Sequence, residues 1–233
     1  SLKAAITPKT RAIFVNSPMN PAGTLVSREC YEKIAALGIT IISDEIYHGL
    51  TYIGDKPSCV FQTTRNAIVL NGFSKRFAMT GLRLGYAIVP KECIRPMQIL
   101  QQNLFICASS TAQKAGIAAL RYGDKDVEER RKVYDEKRKF MIRRLREIGF
   151  EIEQEPMGAF YVFCNAKKFT NNSLQFAFDV LEKAHVGITP GIDFGTGGEG
   201  YVRFSYANSL DRIEEGLNRI EKYINSLNGV QKG

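Results

Sequence analysis

The chain has 233 residues, 44% of them hydrophobic and 24% charged, with a mean hydropathy of -0.18 and a formal net charge of +8. This composition is that of a soluble globular protein of one or two domains. It excludes a disordered or membrane protein; no apolar run approaches a membrane span, and no secretory signal core opens the chain, so a cytoplasmic location is the expectation. Five scattered cysteines without a Cys-x-x-Cys pair, and only two histidines, argue against a disulfide framework or a metal site and suggest reduced packing residues.

In chain order, Arg11 to Asn16 reads as a short buried strand running into Ser17-Pro18-Met19-Asn20-Pro21-Ala22-Gly23, where two prolines and a glycine forbid regular structure and hold Asn20 in a rigid turn. Such a turn suits either a ligand contact or a plain strand-to-helix connection. Ser27 is expected to cap a helix reaching Leu37, with Glu29 in its first turn and Gly38 ending it. The β-branched run Ile39 to Ser43 predicts a strand covered on both faces. Asp44 and Glu45 follow it directly, and burial of an unpaired carboxylate there is costly; Asp44, nearest the strand, is the one expected to point inward. After a loop containing Gly54, Pro57 and Ser58 comes a strand at Ala67 to Leu70, then the turn holding Lys75, then a strand at Leu84 to Val89. The pattern predicts a mainly parallel α/β sheet with Asn20, Asp44, Tyr47, Ser74 and Lys75 at strand ends on one edge.

From Pro90 onward the pattern changes. Helices are expected over Lys91 to Cys107 and Ser109 to Tyr122, followed by a long one to Ile148 that ends at Gly149. Much of the positive charge lies between Glu128 and Arg146, where Val133, Phe140, Met141, Leu145 and Ile148 recur at helical spacing among charges of both signs. That favours a solvated amphipathic helix over a nucleic-acid or membrane partner. Alternation at Phe150 to Glu153, a strand at Ala159 to Cys164, a helix at Leu174 to His185, alternation at Tyr201 to Tyr206 and a final helix from Ser209 to Leu227 predict a smaller α+β domain. The expected division is 1–122 and 123–233. The glycine run at 195–200 precedes a strand and holds Glu199, which favours a surface connection over a phosphate cradle. Arg203 is expected on one strand face with Tyr201 and Ser205, either as a carboxylate clamp or as an exposed strand cation.

Lys75 and Arg83 stand in a glycine- and serine-rich stretch between two strands, and taken alone they could be a nucleophilic amine beside an anion site or two solvated cations. The motifs Asn20-Pro21-Ala22-Gly23, Asp44-Glu45-Ile46-Tyr47, Ser74-Lys75 with Met79 to Tyr86, Pro156 to Tyr161, Pro190 to Gly195 and Tyr201 to Ser205, in that order, resemble the class I/II aminotransferases of fold type I, which depend on pyridoxal phosphate. The resemblance implies the C-terminal part of the large cofactor-binding domain of such an enzyme, over 1–122, plus a small C-terminal domain. It also implies an aminotransferase moving an amino group between an amino acid and a 2-oxo acid, and a homodimer. By the same resemblance Lys75 would carry the cofactor as a Schiff base and shuttle the proton, and Asp44 would pair with the pyridine nitrogen. Asn20 and Tyr47 would contact the phenolic oxygen, Ser74 and Arg83 the phosphate, and Arg203 the substrate carboxylate; Pro21 would follow a cis bond. The chain begins where relatives are well into the large domain, so their N-terminal portion is expected to be lacking, and Gly72 stands where a phosphate-binding serine is common. A carbon-sulfur lyase of the same fold and a non-catalytic remnant acting as an interaction protein are the alternatives.

Overall fold

The computed structural model describes residues 2–52 and 57–230, so Gly54 lies outside the described residues. The chain forms two compact units, Ser1–Pro18 with Leu25–Arg131, and Met19–Thr24 with Lys132–Gly233.

The first unit opens with one helical turn, α1 (Leu2–Ala5), then β1 (Ala12–Asn16), α2 (Arg28–Ala35), β2 (Thr40–Asp44), β3 (Ala67–Gly72) and β4 (Gly85–Ile88). It continues with α3 (Lys91–Phe105), α4 (Ser110–Tyr122) and the start of α5 (Asp124–Ile148). The sheet order is β1-β2-β3-β4, parallel across the first two pairs and antiparallel at β4, which makes the unit the mainly parallel α/β sheet that the short apolar strands predict. Its crossover helix α2 starts where Ser27 Oγ accepts the amide of Cys30 at 3.1 Å; it ends at Ala35, short of the expected Leu37, and the chain then turns at Gly38, whose φ of +71° is left-handed backbone that favours glycine. Ile13, Tyr31, Ile34, Ile41, Val60 and Val69 form the core between that helix and the sheet. Burial is one-sided at the edges: Phe14 is 62% exposed, and no residue of β4 or α3 is fully buried.

In the second unit β5 (Tyr161–Asn165), α6 (Ser173–Ala184), β6 (Thr189–Pro190), β7 (Tyr201–Ser205) and α7 (Leu210–Val230) surround an antiparallel sheet of order β5-β7-β6. Leu145, Val162, Val202, Leu217 and Ile220 are buried at its centre. The alternation at Phe150 to Glu153 does not extend into a strand; it yields a single bridge from Glu151 to Asn165, because Phe150 turns into an aromatic cluster with Phe169 and Phe204. The glycine run at 195–200 is a structural connection. Gly191 and Gly198 meet backbone to backbone, and a Cβ on Gly191 would lie 1.9 Å from the Gly198 carbonyl oxygen. Glu199 accepts the amides of Ser173 at 2.6 Å and Gly200 at 2.8 Å, which places a carboxylate at the first turn of α6 beside its Asn172 cap.

The cysteines differ from their expected packing role: Cys164 is buried, but Cys30 and Cys107 are exposed, since both sit on solvent-facing positions of the chain. Among the described residues no helix is long and apolar enough to cross a membrane.

Candidate functional site

Parallel pairing places the C-terminal ends of β1, β2 and β3 side by side. Asn16 is opposite Asp44, and Asp44 is opposite Leu70, so the turn after β3 that carries Ser74 and Lys75 starts beside the residues following β2. The two carboxylates there divide differently from the expectation. Glu45, 2% exposed, is the one that points inward, while Asp44 is half-buried. The reason is the period of two along the strand: Ile41, Ser43 and Glu45 share the buried face, and Asp44 falls on the other.

Glu45 is compensated by a set of donors. Its Oε1 accepts the Ser43 hydroxyl and the Val60 amide, each at 3.1 Å, and its Oε2 lies 3.1 Å from His48 Nδ1. Tyr31 and Ser43 extend the set through a 3.0 Å hydroxyl contact, and burial pushes the Tyr31 phenol up to about 12. Burial likewise holds His48 below the ordinary histidine value, against the opposing pull of the Glu45 carboxylate. This network fixes the Asp44–Tyr47 turn from beneath and ties it to the 3₁₀ turn at Val60–Gln62.

Asp44 accepts the Ile46 amide on Oδ1 at 3.1 Å, and Asn16 donates Nδ2 to its carbonyl at 3.1 Å. Burial raises its carboxyl above the ordinary range. Among the described residues no lysine or arginine forms an ion pair with it. Tyr47 is buried at 4% exposure. Ser74 and Lys75 are half-buried in a turn closed by the Phe77 amide on the Phe73 carbonyl at 3.1 Å. Downstream of Lys75, Arg130 Nη1 donates to the Arg76 carbonyl at 2.9 Å, and Arg76 lies against Gly49, where a Cβ would sit 2.4 Å from its Cγ. Gly72 faces Gly85 with 3.1 Å between an added Cβ and the Gly85 Cα, a tight crossing in which a serine at position 72 would ask its neighbours to give by a few tenths of an ångström. Arg83 is exposed, in left-handed backbone at φ +50°, with Nη1 donating to the Thr80 carbonyl at 2.9 Å.

Asn20 and Arg203 come together in the second unit. Arg203 Nη1 donates to Asn20 Oδ1 at 2.7 Å across 183 positions of sequence, and Nη2 donates to Thr189 Oγ1 at 3.0 Å. The guanidinium carbon lies 4.3 Å from the Tyr161 ring centroid and 5.1 Å from that of Phe194. Arg203 is half-buried on the face expected for it, with Val202 and Phe204 buried opposite. The Asn20 turn is bound to Pro156-Met157-Gly158: the amides of Met157 and Gly158 each donate to the Gly23 carbonyl at 2.9 Å, and a Cβ on Gly23 would stand 2.4 Å from the Pro156 Cβ. The Asn20–Pro21 bond is cis, and so is Ser17–Pro18. Behind this turn Arg138, 3% exposed, donates to the Pro156 carbonyl at 3.3 Å and pairs with Asp135 at 2.8 Å. Sequence reasoning missed Glu45 as the buried carboxylate, and it missed Thr189 and Arg138 altogether; only the Pro190 to Gly195 motif stood near Thr189.

The aminotransferase class I and II family model matches residues 1–220. The (5-formylfuran-3-yl)methyl phosphate transaminase of Methanocaldococcus jannaschii is 41% identical over 228 residues, covering 97% of this chain and 60% of that protein. An aspartate aminotransferase of Pyrococcus horikoshii is 42% identical over 225 residues, covering 93% of this chain and 57% of its own length. Among solved structures, an aromatic aminotransferase from Pyrococcus horikoshii superposes with a TM-score of 0.93 at 37% identity, covering 97% of this chain and 63% of that one. The chain thus spans about 60% of the length of the curated relatives it matches. With the family model matched over nearly the whole sequence and these folds superposing, the chain belongs to the class I and II aminotransferases.

Proposed function

We propose that this chain carries the amino-transfer machinery of a pyridoxal-phosphate-dependent aminotransferase acting between an amino acid and a 2-oxo acid. The observation that supports it best is the juxtaposition at the sheet edge: a half-buried carboxylate at the end of β2 that no lysine or arginine among the described residues pairs with, and a lysine in the turn after the adjacent β3. This donor set fits the cofactor, because a carboxylate raised by burial gains from a cationic ring nitrogen, and Lys75 and Arg83 suit an aldehyde and a phosphate. When bound, pyridoxal phosphate supplies a carbonyl carbon for the substrate amine and a ring that accepts the electron pair left at the substrate Cα.

Lys75 Nζ would hold the cofactor's aldehyde carbon and, as a free amine, would be the group that takes and returns the proton of the substrate Cα. The Asp44 carboxylate would pair with the ring nitrogen and keep it protonated. Ser74 Oγ and the Arg83 guanidinium would bind the phosphate, the Asn20 amide and Tyr47 hydroxyl would hydrogen-bond the phenolic oxygen, and Arg203 would receive the substrate α-carboxylate. Aminotransferase names among the relatives favour this reading over a carbon-sulfur lyase. The test is to incubate the chain with pyridoxal phosphate, reduce with borohydride and map the modified peptide. Label on Lys75 that a donor amino acid prevents, with oxo acid released, is the expected result; no label on Lys75 would overturn it.

We also propose that the chain self-associates as a homodimer. Leu100, Leu104, Phe105, Leu120 and Tyr122 leave an apolar surface on α3 and α4 of the kind that interfaces cover. Sedimentation equilibrium that returns a monomer at micromolar concentration would dismiss this.

A further inference from the structure

We infer that Thr189 is a positioning residue that presets the Arg203 guanidinium for a substrate carboxylate, an inference that rests on the clamp role proposed above for Arg203. Thr189 and Arg203 stand directly opposite each other in the antiparallel β6–β7 pair, so the backbone register itself brings the hydroxyl to the guanidinium. Thr189 Oγ1 accepts from Nη2 at 3.0 Å while Asn20 Oδ1 accepts from Nη1 at 2.7 Å. The rings of Tyr161 and Phe194, at 4.3 and 5.1 Å, restrain the tilt of the planar group. One acceptor would still allow the guanidinium to swing about that bond; two acceptors on separate terminal nitrogens remove the swing.

The chemistry of the two acceptors matters as much as their number. Both are neutral oxygens, an amide and a hydroxyl, and among the described residues no carboxylate forms an ion pair with Arg203. The group is therefore oriented without being neutralised. A guanidinium has five N–H donors, and these two contacts leave the others for a planar anion that matches the fork. Asn20 has a second duty in the proposed reaction, at the cofactor's phenolic oxygen, whereas Thr189 has none. Thr189 can thus be changed to probe orientation alone, and valine preserves both its volume and its preference for strand.

The experiment uses the full chain and propanoate as the carboxylate probe, followed on the Arg203 Nε–Hε resonance, which is assigned by its loss in Arg203→Lys. Thr189→Val is expected to bind propanoate roughly tenfold more weakly than the parent, with Thr189→Ser within about twofold of it, since serine keeps the acceptor. With amino acid and oxo acid, Thr189→Val should raise KM by a similar factor of about ten and leave kcat within about twofold, the pattern of lost binding common to ground and transition state. Equal propanoate affinity in parent and Thr189→Val overturns the inference. So does a Thr189→Ser variant as weak as Thr189→Val with an equally lowered melting temperature, which would make the residue a packing element. If propanoate leaves the Arg203 resonance of the parent unmoved, the clamp and this inference fall together, and label on Lys75, measured separately, decides whether the wider aminotransferase reading falls as well.

Discussion

Lys75→Ala is expected to lose amino transfer by at least about a thousandfold, the scale on which a positioned base that is also a covalent attachment point contributes. No borohydride-trapped pyridoxyl group should appear on the peptide spanning position 75. Lys75→Arg separates charge from nucleophilicity: arginine restores a cation near the phosphate site but cannot be deprotonated in a protein, so it should be as inactive as alanine while retaining more affinity for inorganic phosphate. Folding should be almost unaffected in both variants, because Lys75 is half-buried in a turn whose closing bond is backbone to backbone, from the Phe77 amide to the Phe73 carbonyl. A Lys75→Ala chain that turns over at the parent rate would remove Lys75 from the reaction.

The largest effect on stability is expected at a residue with no proposed part in the chemistry. Glu45→Ala strips acceptors from Ser43, Val60 and His48 at a site 2% exposed, leaving buried donors unpaired. A loss of about 3 kcal/mol is expected, read by urea denaturation, with a smaller loss for Glu45→Gln, which keeps an acceptor oxygen. The same site sets a pH dependence. His48 is held below its ordinary value by burial, so as pH falls through about 6.5 the unfolded chain takes up a proton that the folded chain refuses, and stability falls. Asp44 has the opposite sign: its raised carboxyl gains a proton in the folded state first, in the window just above the ordinary carboxylate value, where stability rises as pH drops. The histidine contribution is therefore read between about pH 7.5 and 6, above the usual carboxylate range. In that range His48→Gln should flatten the slope, and Glu45→Ala should carry the acid loss further down, because the carboxylate that opposed burial is gone. A parent chain whose stability is flat across that window, or a Glu45→Ala chain as stable as the parent, would remove Glu45 and His48 from this role.

Most of the fold was legible because its signals are local. The serine cap and Gly38 bound α2, the β-branched run makes β2, and the two prolines with Gly23 make the turn at Asn20; each acts through a few neighbouring dihedrals. The failures have two sources. Thr40-Ile41-Ile42-Ser43 puts one isoleucine and one hydroxyl residue on each face, so the run gives no phase, and a shift of one residue exchanges Asp44 and Glu45 between core and edge. Alternation at Phe150 to Glu153 satisfied the strand pattern, but a strand needs a partner along its length, and only Glu151 found one.

By itself the sequence determined the family and the residue types at the strand ends: a lysine and a carboxylate in glycine- and serine-marked turns, and an arginine on a short alternating strand. Tertiary structure decided which carboxylate is buried, that Gly72 packs closely against Gly85, and that the Arg203 guanidinium is hydrogen-bonded to Asn20 and Thr189. Register across a sheet and side-chain contact over 183 residues arise only when elements pack, because they depend on which faces exclude water together rather than on any one segment's preference.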